Sequence, residues 1–188
     1  MRVAVFGGSF NPPHIVHGLV AAWVRWTGAA DAVWFVPVFA HPFEGRHGKR
    51  LAPFDRRVAW TRALAASLGE WAAVSTVEAG LPAPSFTVDT LDALAAAHPG
   101  HRFRLVVGAD VLGQTADWKA WDRIAAAYDP VLVGREGYPG GGEPPFPAVS
   151  STDVRARLLA GEACAGLLPV AVRDALATDD LRALWGPA

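Results

Sequence analysis

The 188-residue chain is 52% apolar, carries a single cysteine, Cys164, and has a formal net charge of −1. So even a balance supplies no general attraction to nucleic acid or a membrane surface, and one cysteine makes neither an internal disulfide nor a cysteine metal cluster. No run reaches the roughly eighteen apolar residues of a membrane span, and MRVAVFGGSF is too short and too Gly-rich for a secretory leader, so a soluble cytoplasmic protein is expected.

The first predicted element is a strand at 2–6, RVAVF, apolar nearly throughout. A helix follows at about 15–27, a strand at 32–36, a helix at 54–68, a strand at 73–77 and a helix at 87–97. The strand at 103–107, FRLVV, is again apolar on both faces; then come a helix at about 118–127 and a strand at 130–133. Repeated β-then-α order with such strands predicts an α/β fold, a Rossmann-like doubly wound parallel sheet, in one domain spanning 1–188. SSTDVRARLLAG opens a helix, and with a second from about 170 to 177 it forms a small helical part over about 150–188. Two stretches break the rhythm: 41–50 is basic and Gly-containing, and 135–147 is rich in Pro and Gly and predicts a flexible excursion. In such a sheet ligands lie beyond the carboxyl ends of the strands, so residues just after each strand are site candidates.

The first strand runs into GGSFNPPHIVHGLV. Gly7 and Gly8 leave the backbone bare enough for its N–H groups to approach a ligand, and the helix behind them presents free N–H donors and partial positive charge. His14 and His17, three residues apart, share a face of that first turn and suit charge developing at phosphorus. HExxH is absent and no third ligand is evident, so a zinc site is not predicted; GxxxxGK[ST] and GxGxxG are absent as well. Near the C-terminus, Ser150, Ser151 and Thr152 precede a helix with Arg155 one turn inside, a set of donors that fits a polyphosphate. Plain helix capping with an exposed Arg accounts equally well for that segment by itself, but together with the first motif the phosphate reading is the stronger.

GGSFNPPHxxH and SSTxVR resemble the nucleotidyltransferase superfamily with (H/T)xGH and ISSTxxR signatures. PSFTVDTL (84–91) and VGADVLGQTADWKAW (107–121) resemble blocks of its bacterial nicotinate mononucleotide adenylyltransferase family. The resemblance implies transfer of AMP from ATP to nicotinate mononucleotide, with Mg²⁺ assisting and pyrophosphate leaving. By match, His14, His17 and Arg155 are the catalytic set, with Ser151 and Thr152 at the β/γ end. Gly7, Gly8, Ser9 and Phe10 form the nucleotide cradle, Gly108 and Asp110 meet the adenosine ribose, and Thr87 and Trp118 form the pyridine pocket. Lys49 is the preferred contact for the substrate phosphate, although HPFEGRHGK departs from the family's PPHK-like string. Small-molecule substrates, no nucleic acid and no membrane are expected, and a homo-oligomer is left open. Two alternatives stand beside this reading: a sibling transferase using nicotinamide mononucleotide or phosphopantetheine, and a nucleotide-binding protein with little turnover.

Val16 occupies the position of the motif glycine. A branched side chain there predicts weaker ATP binding or turnover unless it turns away from the nucleotide.

Overall fold

The computed structural model describes residues 1–41, 50–142 and 144–186. Five parallel strands form the sheet: β1 Arg2–Gly8, β2 Ala32–Pro37, β3 Ala72–Val74, β4 Arg102–Gly108 and β5 Val131–Val133. Their order is β3-β2-β1-β4-β5, the doubly wound arrangement, with the chain reversing its direction of sheet growth between β1 and β4.

The helices are α1 Ile15–Trp26, α2 Phe54–Leu68, α3 Thr87–Ala97, α4 Ala109–Leu112, α5 Trp121–Tyr128, α6 Ser151–Leu159, α7 Val170–Leu176 and α8 Leu181–Trp185. Side chains alternate across β1, so Ala4 enters one core while Val3 and Val5 enter the other. The Ala4 side gathers α1, α2 and the C-terminal helices through Val24, Leu64, Val154, Val172 and Leu176. The opposite side is closed by α3 and α5 through Val88, Leu91, Leu94 and Ile124. Burial on both faces is why β1 and β4 read as unbroken apolar runs.

The ladder between β1 and β4 runs from Arg2↔Arg102 to Val5↔Leu105 and then ends. Both strands continue, but with outer neighbours: β1 pairs β2 as far as Gly8↔Pro37, and β4 pairs β5 as far as Gly108↔Val133. The sheet therefore parts along its middle, opening a crevice at the switch point.

Three expectations change. The strand predicted at 73–77 stops at Val74, and Val77–Gly80 is a 3₁₀ turn. The helix expected from 118 starts at Trp121, because Ala120 adopts a left-handed φ of 56° that breaks helical continuity. The 135–147 stretch is folded back: Phe146 is buried, its N–H donates to Gly134 O (3.0 Å), and its carbonyl accepts from Glu136 N–H (2.8 Å).

Candidate active site

The turn leaving β1 is held from beneath. Asn11 is fully buried; its amide donates to Arg50 O (3.0 Å), and its Oδ1 accepts from Ala52 N–H (3.0 Å) and Trp185 Nε1–H (3.2 Å). Both ends of one amide are thus used, which a carboxylate could not do. Phe10, at φ 44°, drops its ring into the core beneath Gly8, so only its backbone remains to face a ligand. A side chain at Gly8 would press on that ring at 3.2 Å, whereas the space over Gly7 is open.

His14 caps α1, and its backbone N–H donates to His17 Nδ1 (3.0 Å). With Nδ1 accepting, a neutral His17 carries its proton on Nε2, a tautomer assigned from this hydrogen bond. The two rings lie 3.8 Å apart between centroids, and His17 also contacts the rings of Phe6 and Phe10. His14 Nδ1 is buried with no partner among the described residues.

The start of α6 is fastened directly to this turn. Ser150 caps the helix by accepting from Asp153 N–H (3.1 Å), as the serine-rich sequence predicts. Ser151 Oγ donates to Pro12 O (2.9 Å), and Arg155 Nη1 donates to Asn11 O (2.7 Å) while Nη2 donates to Thr152 Oγ1 (3.2 Å). The two helix starts, separated by some 140 residues of chain, form one donor-lined wall.

Gly108 ends β4, and Asp110 lies in the first turn of α4. A Cβ on Gly108 would meet Asp110 Oδ1 at 2.5 Å, so glycine is what allows this carboxylate to fold back over the strand end. Asp110 Oδ2 accepts from Arg135 Nη1, and Arg135 Nη2 reaches Val149 O at 3.3 Å. Arg135 was not among the residues singled out from the sequence. Its signal was positional: it follows β5 by two residues, at the strand end where candidates belong, inside a stretch whose Pro and Gly content suggested an excursion.

Burial and the Arg135 charge hold His14 near 4 instead of the usual 6.5, and burial, His14 and Arg135 hold His17 well below its ordinary value. Both imidazoles are therefore neutral donors at physiological pH. Unfolded His14 takes up its proton near 6.5, but the folded residue does so only near 4, so stability is full above pH 6.5 and falls as pH drops between these values. Going from pH 7 to pH 5 is expected to remove about 2 kcal/mol through His14 alone. Urea midpoints at the two pH values measure this, and a His14→Asn variant should lose correspondingly less.

Within the crevice lies a cavity of about 220 Å³, lined by Gly7, Gly8 and Ser9 at the end of β1 and by Thr87, Thr90 and Trp118 among others. That volume suits a ring with its sugar, not a whole dinucleotide. Thr87 is the first residue of α3, and Trp118 sits edge-on to Trp121 in the loop before α5. Lys49 lies outside the described residues.

Val16 is half-buried and packs against the α1–α2 side of the core. Part of its side chain is engaged there, and to that extent the steric objection to a nucleotide weakens. Val16→Gly is expected to leave pyrophosphate release unimproved while costing about 1–3 kcal/mol through lost burial and added backbone freedom. A clear gain in turnover would restore the steric account.

The chain matches the cytidylyltransferase-like family model over residues 5–157. It is 47% identical over 172 residues to a probable nicotinate-nucleotide adenylyltransferase of Anaeromyxobacter sp. (strain K), covering 89% of each chain. A probable enzyme of the same name from Myxococcus xanthus is 40% identical over 171 residues, covering 90% of this chain and 88% of that one. Among solved structures, the Plasmodium falciparum nicotinic acid mononucleotide adenylyltransferase complexed with NaAD superposes with a TM-score of 0.73 at 15% identity, covering 98% of both chains. The fold is thus shared, and by its sequence the chain belongs to the nicotinate-nucleotide adenylyltransferase family.

Proposed function

We infer that the protein transfers AMP from ATP to nicotinate mononucleotide, giving nicotinate adenine dinucleotide and pyrophosphate. One observation carries this reading beyond family membership. The wall formed by α1 and α6 through Ser151, Arg155, Pro12 and Asn11 adjoins a separate ring-sized cavity containing Thr87 and Trp118. A donor-lined wall beside a ring-sized cavity supports the reading, because joining a mononucleotide to ATP requires two binding sites.

In this mechanism the mononucleotide's phosphate oxygen attacks ATP's α-phosphorus in line, and the bond to the β-phosphate oxygen breaks with its electron pair leaving on pyrophosphate. No protein nucleophile takes part. His17 Nε2–H donates to the α-phosphate as charge builds, and His14 contacts the neighbouring phosphate oxygens. Ser151, Thr152 and Arg155 hold the β/γ end, where Arg155 supplies fixed positive charge. The backbone of Gly7, Gly8, Ser9 and Phe10 cradles the nucleotide, Gly108 and Asp110 meet the adenosine ribose, and Lys49 meets the mononucleotide phosphate. Thr87 and the start of α3 give donors to the pyridine carboxylate, with Trp118 stacking on the ring.

Among the described residues no three His, Cys, Asp or Glu side chains converge as a metal cage. Mg²⁺ in this reading arrives on the triphosphate, as part of the substrate. No helix among the described residues is long and apolar enough to cross a membrane, and a cytoplasmic setting remains part of the proposal. Pyrophosphate release with ATP and a panel of nicotinate mononucleotide, nicotinamide mononucleotide and phosphopantetheine tests the function. Fastest release with the acid mononucleotide is expected; release with phosphopantetheine alone, or with none of the panel, overturns it.

A further inference from the structure

The cavity wall holds a buried carboxylate that the reaction does not use. Glu78 lies in the 3₁₀ turn Val77–Gly80, between β3 and α3, and lines the cavity beside Val36, Val38, Ser85 and Thr90. A lone Glu in VEAGLP would ordinarily turn to water. Instead Oε2 accepts from Phe39 N–H (2.9 Å) and Oε1 accepts from the Thr90 hydroxyl (2.9 Å). No ion pair among the described residues involves it. A buried carboxylate is costly, and two hydrogen bonds offset that cost only if both are kept.

Those bonds join segments that no sheet ladder connects. Phe39 belongs to the strip leaving β2, and Thr90 lies in the first turn of α3, three residues after Thr87. The same two segments meet again where Ser85 N–H donates to Ala40 O (2.8 Å) and Ala40 N–H donates to Ser85 Oγ (3.2 Å). The β2 strip and the α3 start both line the cavity, so the Glu78 carboxylate acts as a spacer between two parts of its wall.

We propose that Glu78 is a positioning residue of the mononucleotide pocket, fixing the start of α3 and Thr87 relative to the β2 strip at the width the pyridine ring requires. The proposal rests on the adenylyltransferase reading above. It concerns the mononucleotide half alone, because neither bond reaches α1 or α6.

Glutamine can reproduce the arrangement. Its Oε1 accepts from Phe39 N–H and its amide donates to Thr90 Oγ1, whose hydrogen turns to Phe86 O, already 3.2 Å away. Alanine can do neither. The expected result in steady-state assays is that Glu78→Ala raises the KM for nicotinate mononucleotide about tenfold or more while the KM for ATP stays within about twofold, and that Glu78→Gln recovers both. Both KM values rising together in the alanine variant, neither changing, or glutamine behaving like alanine would overturn the role. If Glu78→Ala fails to fold, Thr90→Val removes one bond at nearly constant shape and should raise the mononucleotide KM about threefold; an unchanged KM counts against the proposal. Should the wild type release no pyrophosphate with nicotinate mononucleotide, the functional reading fails separately. Calorimetric titration of that mononucleotide without ATP then decides: binding lost in Glu78→Ala supports the spacer role, while equal binding in both proteins, or none to the wild type, overturns it.

Discussion

Replacing His17 by alanine is expected to lower kcat about a hundredfold or more, with a smaller change in the KM for ATP. The reason is the proton's location. His17 Nδ1 is committed to the His14 backbone N–H, and burial with the nearby Arg135 charge keeps the ring neutral, so Nε2–H is a fixed donor. A fixed donor matters most when charge accumulates on the phosphoryl oxygens, which is why kcat should suffer before KM. His17 also packs against Phe6 and Phe10, so the alanine variant leaves a hole in that aromatic group. His17→Asn, measured beside it for both rate and Tm, separates the two effects: it removes most of the ring yet keeps an amide donor. A near-normal rate in His17→Ala would remove His17 from the chemistry.

Arg155→Ala should lower kcat/KM for ATP by about a hundredfold, close to 2.7 kcal/mol. Two losses combine. One, on the assignment proposed above, is positive charge beside the β/γ end of the triphosphate. The other is the fork that donates at once to Asn11 O (2.7 Å) and Thr152 Oγ1 (3.2 Å), tying α6 to the turn before α1. Arg155→Lys separates them, since a lysine carries the charge but not the planar fork. Recovery of less than about tenfold is expected from Lys. Full recovery would mean that charge alone matters, and an alanine variant with normal ATP kinetics would place Arg155 outside the site. The mononucleotide KM should move little in either variant, the reverse of the pattern expected at Glu78.

Much of the fold could be read from local pattern. The apolar runs of β1 and β4 required cover on both faces, and α2 and α3 begin and end where their sequences predict. The glycine turn and the serine-rich start of α6 were also legible, because their chemistry is local: bare backbone in one, hydroxyl caps in the other. What escaped is set by contacts between distant residues. Nothing near Asn11 announces that its amide will be gripped by residue 185, and nothing near Glu78 announces Phe39. Trp118 looked helical because Ala120 is an ordinary helix former, and only the left-handed backbone at 120 holds it apart from α5. Arg135 was hidden by the Pro and Gly around it, although those residues fold back on Gly134 to hold the stretch against β5.

The grip of Trp185 on Asn11, with the Arg50 guanidinium reaching Ala183 O and Gly186 O, has a bearing on synthesis. The underside of the turn at 7–11, proposed above as the phosphate cradle, is completed by a helix that lies some 170 residues further along the chain. During synthesis β1 and β2 can therefore pair before the support beneath that turn has been made. A ribosome stalled before codon 185 displays that turn without the Trp185 indole that holds Asn11 Oδ1.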